Sequence, residues 1–237
     1  MDPWTVTAIN LPEHRRNAIH TDAGAQAAGF TRALVAGVTT YAYLTHPIVA
    51  AWGTDWLAGG GGEVRFRQPV FDGDSVTCAP VAVAGCADVD VEARTDGVRA
   101  VLRAWPTGSP AMAMRDGERL PSRQFELVEE WGSDYGRRAG DELSVYGDED
   151  LVHPAVWPAI ANQIVHVDVA RGAWIHTRSV VRHHAPARAG SVADVHAVVV
   201  RRFERSGERA VLDVRIEIDG TVVATLEHEA IVALPVA

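Results

Sequence analysis

The sequence predicts an α+β protein in which two antiparallel sheets are each wrapped around one central helix. Three observations predict it: a repeat within the chain, the same order of apolar helix and alternating strands in both halves, and a middle stretch without period. The repeat is carried by "VRFRQPVFDGDSV" from Val64 and "VRHHAPARAGSV" from Val181. Val64, Arg65, Pro69 and Gly73 align there with Val181, Arg182, Pro186 and Gly190, an offset of 117 (181 − 64). "DVEARTDG" from Asp90 and "DVRIEIDG" from Asp213 repeat in the same order at an offset of 123 (213 − 90). Two matches in order point to a duplicated unit of roughly 100 residues, an ordinary domain size. The expected division is 1–106, a linker over 107–145, and 146–237.

Each half justifies its elements in the same way. "VTTYAYLTHPIVAAW", residues 38–52, is apolar with few charges and suits a buried helix, although Pro47 should kink or end it. "EVRFRQPVF", "SVTCAPVAVAGC", "ADVDVEART" and "VRAVLRAW" then alternate apolar and polar residues at the period of two that marks strands. Asp96-Gly97 is a hairpin signal. In the second half "HPAVWPAIANQIVHVDVA" is the helix candidate, followed by "AWIHTRSVVRHH", "SVADVHAVVVRRFERSG", "ERAVLDVRIEID" and "TVVATLEHEAIVAL" as strands. The stretch 107–145 mixes charge with Gly, Pro and Ser and reads as a surface linker.

Bulk properties exclude several classes. With 237 residues and 47% hydrophobic content the chain can bury a real core, yet no run of eighteen apolar residues exists to span a membrane. The acidic, polar start "MDPWTVTAINLPEH" is unlike a secretory signal, so a cytoplasmic location is expected. A net charge of −9 without a basic stripe argues against nucleic acid. Cys78 and Cys86 form no metal or redox spacing and are expected as reduced, small apolar residues of a strand region. His166, His176, His183 and His184 lack the H-E-x-x-H spacing of a zinc site, so no metal is expected. No G-x-S-x-G occurs. "AGGGGEV" lacks the strand and helix that a nucleotide-binding loop needs.

The chemistry concentrates in "RRNAIHTDAGAQAAGF", where Asn17, His20 and Asp22 fall within six residues, and in the "LVAGVTTYAYL" that follows. These stretches and "VRFRQPVFDGDSV" resemble the MaoC-like hydratase family in its double-hotdog form. The resemblance covers most of the chain, with "GAWIHTRSVVRHHAPARAGSV" fitting the partner hotdog. It implies a substrate that is an acyl thioester of coenzyme A or acyl carrier protein, with water added to or removed from the 2,3 position. No separate cofactor is implied, since coenzyme A or phosphopantetheine arrives as part of the substrate. The family's working pattern is Asp-x-Asn-Pro-x-His. His20 matches the catalytic His and Asn17 the Asn, while Ala18 stands at the Pro and Arg15 at the Asp.

Each candidate keeps two readings. A neutral His20 is a base for water near pH 7, or a polar brace of the loop. Asn17 binds water or substrate, or holds the loop through backbone bonds. Asp22 replaces the missing acid beside His20, or caps the helix behind it. Gly37, with Val38, opens the long helix and would offer free N–H groups to a thioester oxygen, or serves tight packing. Arg65 and Arg67 meet phosphates of the carrier, or are exposed strand arginines. Two further functions stay open: a hotdog thioesterase, disfavoured because 38–52 holds no carboxylate, and a non-catalytic acyl-thioester-binding protein that lost its Asp. A homodimer of such pseudo-dimers also stays open.

Overall fold

The computed structural model describes residues 1–108 and 110–234. β1 (Trp4–Thr7), α1 (Asp22–Ala27) and the long α2 (Gly37–Gly59) precede β2 (Gly61–Phe66), β3 (Ser75–Ala82), β4 (Val89–Arg94) and β5 (Val98–Trp105). The middle stretch forms β6 (Glu118–Arg119), β7 (Arg123–Glu126), α3 (Tyr135–Arg138) and α4 (Val145–Asp148). The second half then runs α5 (Val156–Ile164), β8 (Ile175–His183), β9 (Val192–Glu204), β10 (Glu208–Ile218) and β11 (Thr221–Ala233). A π-helical turn, Val165–Val169, extends α5.

The expectation of two separate sheets needs correction. The strands form one eleven-stranded antiparallel sheet, ordered β1-β3-β4-β5-β2-β8-β11-β10-β9-β6, with β7 also on β9. The halves fuse because β2 and β8, the repeated strands, pair with each other from Gly61↔Arg182 to Arg65↔Arg178. "GGGG" belongs to this junction: a Cβ on Gly61 would come within 2.5 Å of the Val181 carbonyl oxygen. The strand order reads the same outward from the junction on both sides, β5-β4-β3 against β11-β10-β9.

The repeat extends into details that the sequence only hints at. Gly73 and Gly190 share a φ of 81°, the left-handed conformation glycine adopts without strain. The isolated bridges Leu34↔Phe71 and Leu151↔Arg188 lie 117 residues apart. So do the hydrogen bonds Val35 N–H to Val70 carbonyl, 2.8 Å, and Val152 N–H to Ala187 carbonyl, 2.9 Å.

The long helix α2 is buried along most of its length and packs on β3, β4, β5 and β8. Pro47 is tolerated inside it, and the break falls later, at Gly53 with φ 62° and ψ −153°. The helix therefore runs past residue 52 and takes in Asp55. Cys78 is buried in β3, but Cys86 is exposed in the turn beyond it, because β3 ends at Ala82. The stretch 107–145 is more than surface. It buries Leu127, Tyr135 and Asp141, and is pinned by Arg115 to Asp213, Arg123 to Asp168 and Arg138 to Glu13.

Asp141 is the deepest of these anchors. Its Oδ1 accepts from His46 Nδ1 of α2 at 2.8 Å, and its Oδ2 from His153 Nε2, ahead of α5, at 3.2 Å. Burial alone would raise its pKa, but the His153 and His46 hydrogen bonds outweigh it and hold the carboxyl below the ordinary range. Asp141→Ala strands these donors, each worth about 1–3 kcal/mol when buried and unpaired. Thermal melts should show a fall in Tm of roughly 5 °C or more at pH 7. Because the folded pKa is depressed, the carboxylate's contribution is present above the unfolded value of about 4. It fades as pH falls below that, so the gap between wild type and variant should narrow in acid.

Candidate functional site

The N-terminal loop folds as two short 3-10 turns, Pro12–Arg16 and Ala18–His20, and then α1. Asn17 is buried and tied to the second half. Its Nδ2 donates to the Trp174 carbonyl at 2.9 Å, and its Oδ1 accepts from the N–H groups of Trp174 and Ile19 at 3.4 Å. Its amide thus holds the loop to the second half, and the residue also lines the smaller cavity described below. Thr21, not Asp22, caps α1, its hydroxyl oxygen accepting from Gly24 N–H at 3.2 Å. Asp22 is exposed one residue later, where its Oδ1 accepts from Ala33 N–H at 2.8 Å.

His20 sits where this loop meets a cavity of about 300 Å³. Its Nδ1–H donates to the Leu34 carbonyl at 2.8 Å, since an oxygen there can only accept. That tautomer leaves Nε2 with its lone pair, on a ring that lines the cavity. Burial lowers the ring's pKa to about 4, against the opposing pull of the Leu34 carbonyl, so the imidazole is neutral at pH 7. A smaller cavity of about 40 Å³ adjoins, sharing His20, Asn162 and Trp174 with the first.

The other wall is the start of α2. Ala36 occupies the N-cap with no side chain to cap the helix. Thr39 and Thr40 N–H bond back to the Ala36 carbonyl, leaving the Gly37 and Val38 N–H groups without a partner among the described residues. They carry the positive end of the helix dipole. Gly37 lines the cavity, and a Cβ there would lie 3.3 Å from both His176 Nδ1 and the Phe66 ring. The Val38 side chain turns away into core with Ala36 and Ala159. Arg67 lines the cavity with an exposed guanidinium that has no ion pair among the described residues. Arg65 does not line it, and its guanidinium is bound to Glu63 at 2.5 Å.

Sequence reasoning missed what the second half contributes. Asn162 of α5 lines both cavities with a buried Oδ1 that has no partner among the described residues, and Trp174, His176 and Arg209 are part of the same wall. Among the described residues no carboxylate lines the larger cavity, and Glu13 is the one that lines the smaller. Glu13 is held by Arg138. No group of three or more His, Cys, Asp or Glu among the described residues could hold a metal. No described helix is long and apolar enough to cross a membrane.

The repeat places a counterpart of this cavity in the second half. Leu34, Val35, Thr40, Phe66, Gln68, Pro69 and Val70 correspond at the offset of 117 to Leu151, Val152, Trp157, His183, Ala185, Pro186 and Ala187. The second set encloses only about 10 Å³. Trp157 fills the space that Thr40 leaves open. Pro154 replaces Gly37 and has no N–H, and the N–H of Ala155, counterpart of Val38, is capped by His153 Nδ1 at 3.1 Å. The duplication therefore yields one open site and one closed site.

No protein-family model matches the sequence, and no curated protein matches it. Solved structures do match. A protein assigned as a MaoC domain dehydratase from Chloroflexus aurantiacus is 11% identical, with 100% of this chain and 96% of that one covered and a TM-score of 0.63. A conserved hypothetical protein of Mycobacterium tuberculosis described as a double hotdog fold is 13% identical over 98% of this chain and 96% of that one, TM-score 0.61. An acyl-CoA thioesterase II from Mycobacterium marinum is 12% identical over 84% and 90%, TM-score 0.50. The chain thus shares its fold with a double-hotdog protein, with a MaoC-like dehydratase and with a thioesterase.

The open and closed sites make a direct prediction. The dye 1-anilinonaphthalene-8-sulfonate should bind wild type at one site per chain. Thr40→Trp, which copies Trp157, should keep the far-UV circular dichroism and lose that binding. Two dye molecules per chain, one of them in the second half, would contradict the asymmetry.

Proposed function

We propose that the protein is an acyl-thioester hydratase/dehydratase, working on a coenzyme A or acyl-carrier thioester at the 2,3 position. The observation that carries this reading is His20. A neutral imidazole with Nδ1–H tied to the Leu34 carbonyl keeps its Nε2 lone pair. The cavity that this ring lines has the start of α2 as its other wall, where Gly37 lines the space and the N–H groups of Gly37 and Val38 have no partner among the described residues. These are a base and an electrophilic cradle, the two parts that hydration of an enoyl thioester needs.

The steps balance with one imidazole. Nε2 takes a proton from water as the hydroxyl bonds to C3, and the C2–C3 π electrons move toward the thioester oxygen at the helix start. The same ring then returns its proton to C2, and the carbonyl re-forms. One ring is asked to do both transfers because no carboxylate lines the larger cavity among the described residues. Neither Arg15 nor Asp22 supplies the family's acid: both are exposed, and Asp22 is occupied with Ala33. The unit 1–106 brings the base and helix start, and 146–237 brings Asn162 and the wall around His176. Arg67 at the rim suits a phosphate of coenzyme A or phosphopantetheine, and no separate cofactor is called for. The fold relationship to a thioesterase keeps thioester hydrolysis as the second reading.

His20→Ala should lower kcat/KM for hydration of crotonyl-CoA by about 10²- to 10⁴-fold with the melting profile retained. Unchanged hydration would remove His20 from the mechanism. Free thiol released from acyl-CoA, followed with a thiol reagent, would point to hydrolysis instead. Because the base form exists above a pKa of about 4, kcat/KM should rise through that pH and stay level across pH 6.5, where an exposed histidine would titrate.

A further inference from the structure

A second histidine, His176, lines the cavity. His176 is 6% exposed, and its Nδ1 has no hydrogen-bond partner among the described residues. That nitrogen faces the start of α2, 3.3 Å from where a Cβ on Gly37 would stand. On its other side Nε2 is 2.8 Å from the Ser179 hydroxyl, which is in turn 2.8 Å from His228 Nδ1. Ser179 and His228 are fully buried and cross-strand partners between β8 and β11.

His176 would not share a face with Ser179 in a regular strand, because side chains three residues apart point to opposite sides. A bulge corrects this. Arg178 pairs with Glu229 and His176 with the next residue, Ala230, so Thr177 is left without a partner. Its hydroxyl donates instead to the Glu229 carbonyl at 3.1 Å. Bulges re-aim side chains in this way, and they recur beside active sites.

The hydroxyl has one proton, which restricts the tautomers. If Ser179 donates to His176 Nε2, it accepts from His228 Nδ1–H, and the His176 proton must be on Nδ1. The reverse order would put a proton on His228 Nε2, which is buried and unpartnered. The first order leaves the His176 Nδ1–H without a partner among the described residues instead, but that ring lines the cavity, where a ligand can meet the proton, and the His228 ring does not, so the first order is favoured. Burial, then the neighbouring His228, lowers the His176 pKa well below its ordinary value, opposed by the Arg178 backbone, which keeps the ring uncharged.

We propose that His176 is a second oxyanion donor of the open cavity: its Nδ1–H faces the thioester oxygen beside the Gly37 and Val38 N–H groups, and Ser179 with His228 holds it in that tautomer. The assignment rests on the reading that a thioester carbonyl sits at the start of α2. It serves hydration and hydrolysis alike, since both build negative charge on that oxygen. His176 touches the substrate, whereas Ser179 and His228 act through it as positioning residues.

The test is the carbonyl stretch of bound crotonyl-CoA in the infrared, read beside its hydration rate. Wild type should shift the stretch to lower frequency. His176→Phe should bind crotonyl-CoA with most of that shift lost and kcat lowered about 10²- to 10³-fold, the usual effect of removing one oxyanion donor. Ser179→Ala, a small change that guards against misfolding of the first variant, should keep binding and lose part of the shift. Its ¹⁵N spectrum should show His176 leaving the Nδ1–H form that dominates in wild type. A full shift in His176→Phe, or a wild-type His176 protonated on Nε2, overturns the donor assignment whatever the hydration rate. A wild-type shift that depends on His176 without any hydration overturns the proposed reaction and leaves the donor standing. Absence of crotonyl-CoA binding overturns both.

Discussion

Everything in this molecule depends on the antiparallel pairing of β2 with β8. It joins equivalent strands of two repeated units, so the sheet continues across the middle and the helices of both halves share one floor. The pairing demands close approach, which explains glycine at position 61, where a Cβ would strike the Val181 carbonyl. It also removes two open sheet edges, which would otherwise invite pairing with other chains. And it brings the front of α2 against β8, so the site draws on both halves of the chain.

Symmetry of this kind would give two equal sites, and the chain breaks it at the helix starts. In the first half Ala36 leaves the N–H groups of Gly37 and Val38 unpaired, a cost the fold bears only where something else is to meet them. In the second half proline deletes one donor and His153 occupies the next. Trp157 then fills the volume. The stretch 107–145 takes part, because its Asp141 binds His153 Nε2–H and so commits Nδ1 to capping Ala155. A segment that reads as a spacer between units is therefore part of what shuts one of them.

Much of the fold was legible because it rests on local pattern. Period-two strands, the apolar helix and the repeated "VRFRQP" and "VRHHAP" each state their structure in neighbouring residues. His20 and Gly37, which both line the larger cavity, stand out in the sequence through their motif. What was not legible depends on long-range register. One sheet in place of two follows from β2 meeting β8, and no residue of either strand announces its partner. Thr21 displaced Asp22 as cap because capping depends on one residue of phase, which composition does not settle. The Pro47 signal was overridden by the burial of α2, and the break moved to Gly53. His176 was hidden most completely, since the bulge at Thr177 reverses the face that simple alternation assigns to it.

The two halves share one device put to opposite ends. At each helix start a histidine of the second half, His176 beside α2 and His153 ahead of α5, has one nitrogen engaged by a buried side chain, and that engagement decides what its other nitrogen can do. Asp141 accepts a hydrogen bond from His153 Nε2–H, so Nδ1 presents a lone pair, and that lone pair silences a helix N–H. Ser179 presents a proton to His176, so that ring offers an N–H of its own and adds to the donors already there. An acceptor at one helix start closes a site, and a donor at the other deepens it. Since an imidazole switches between these roles by tautomer alone, the chemistry that separates the open half from the closed half lies as much in the residues behind the histidines as in the histidines themselves.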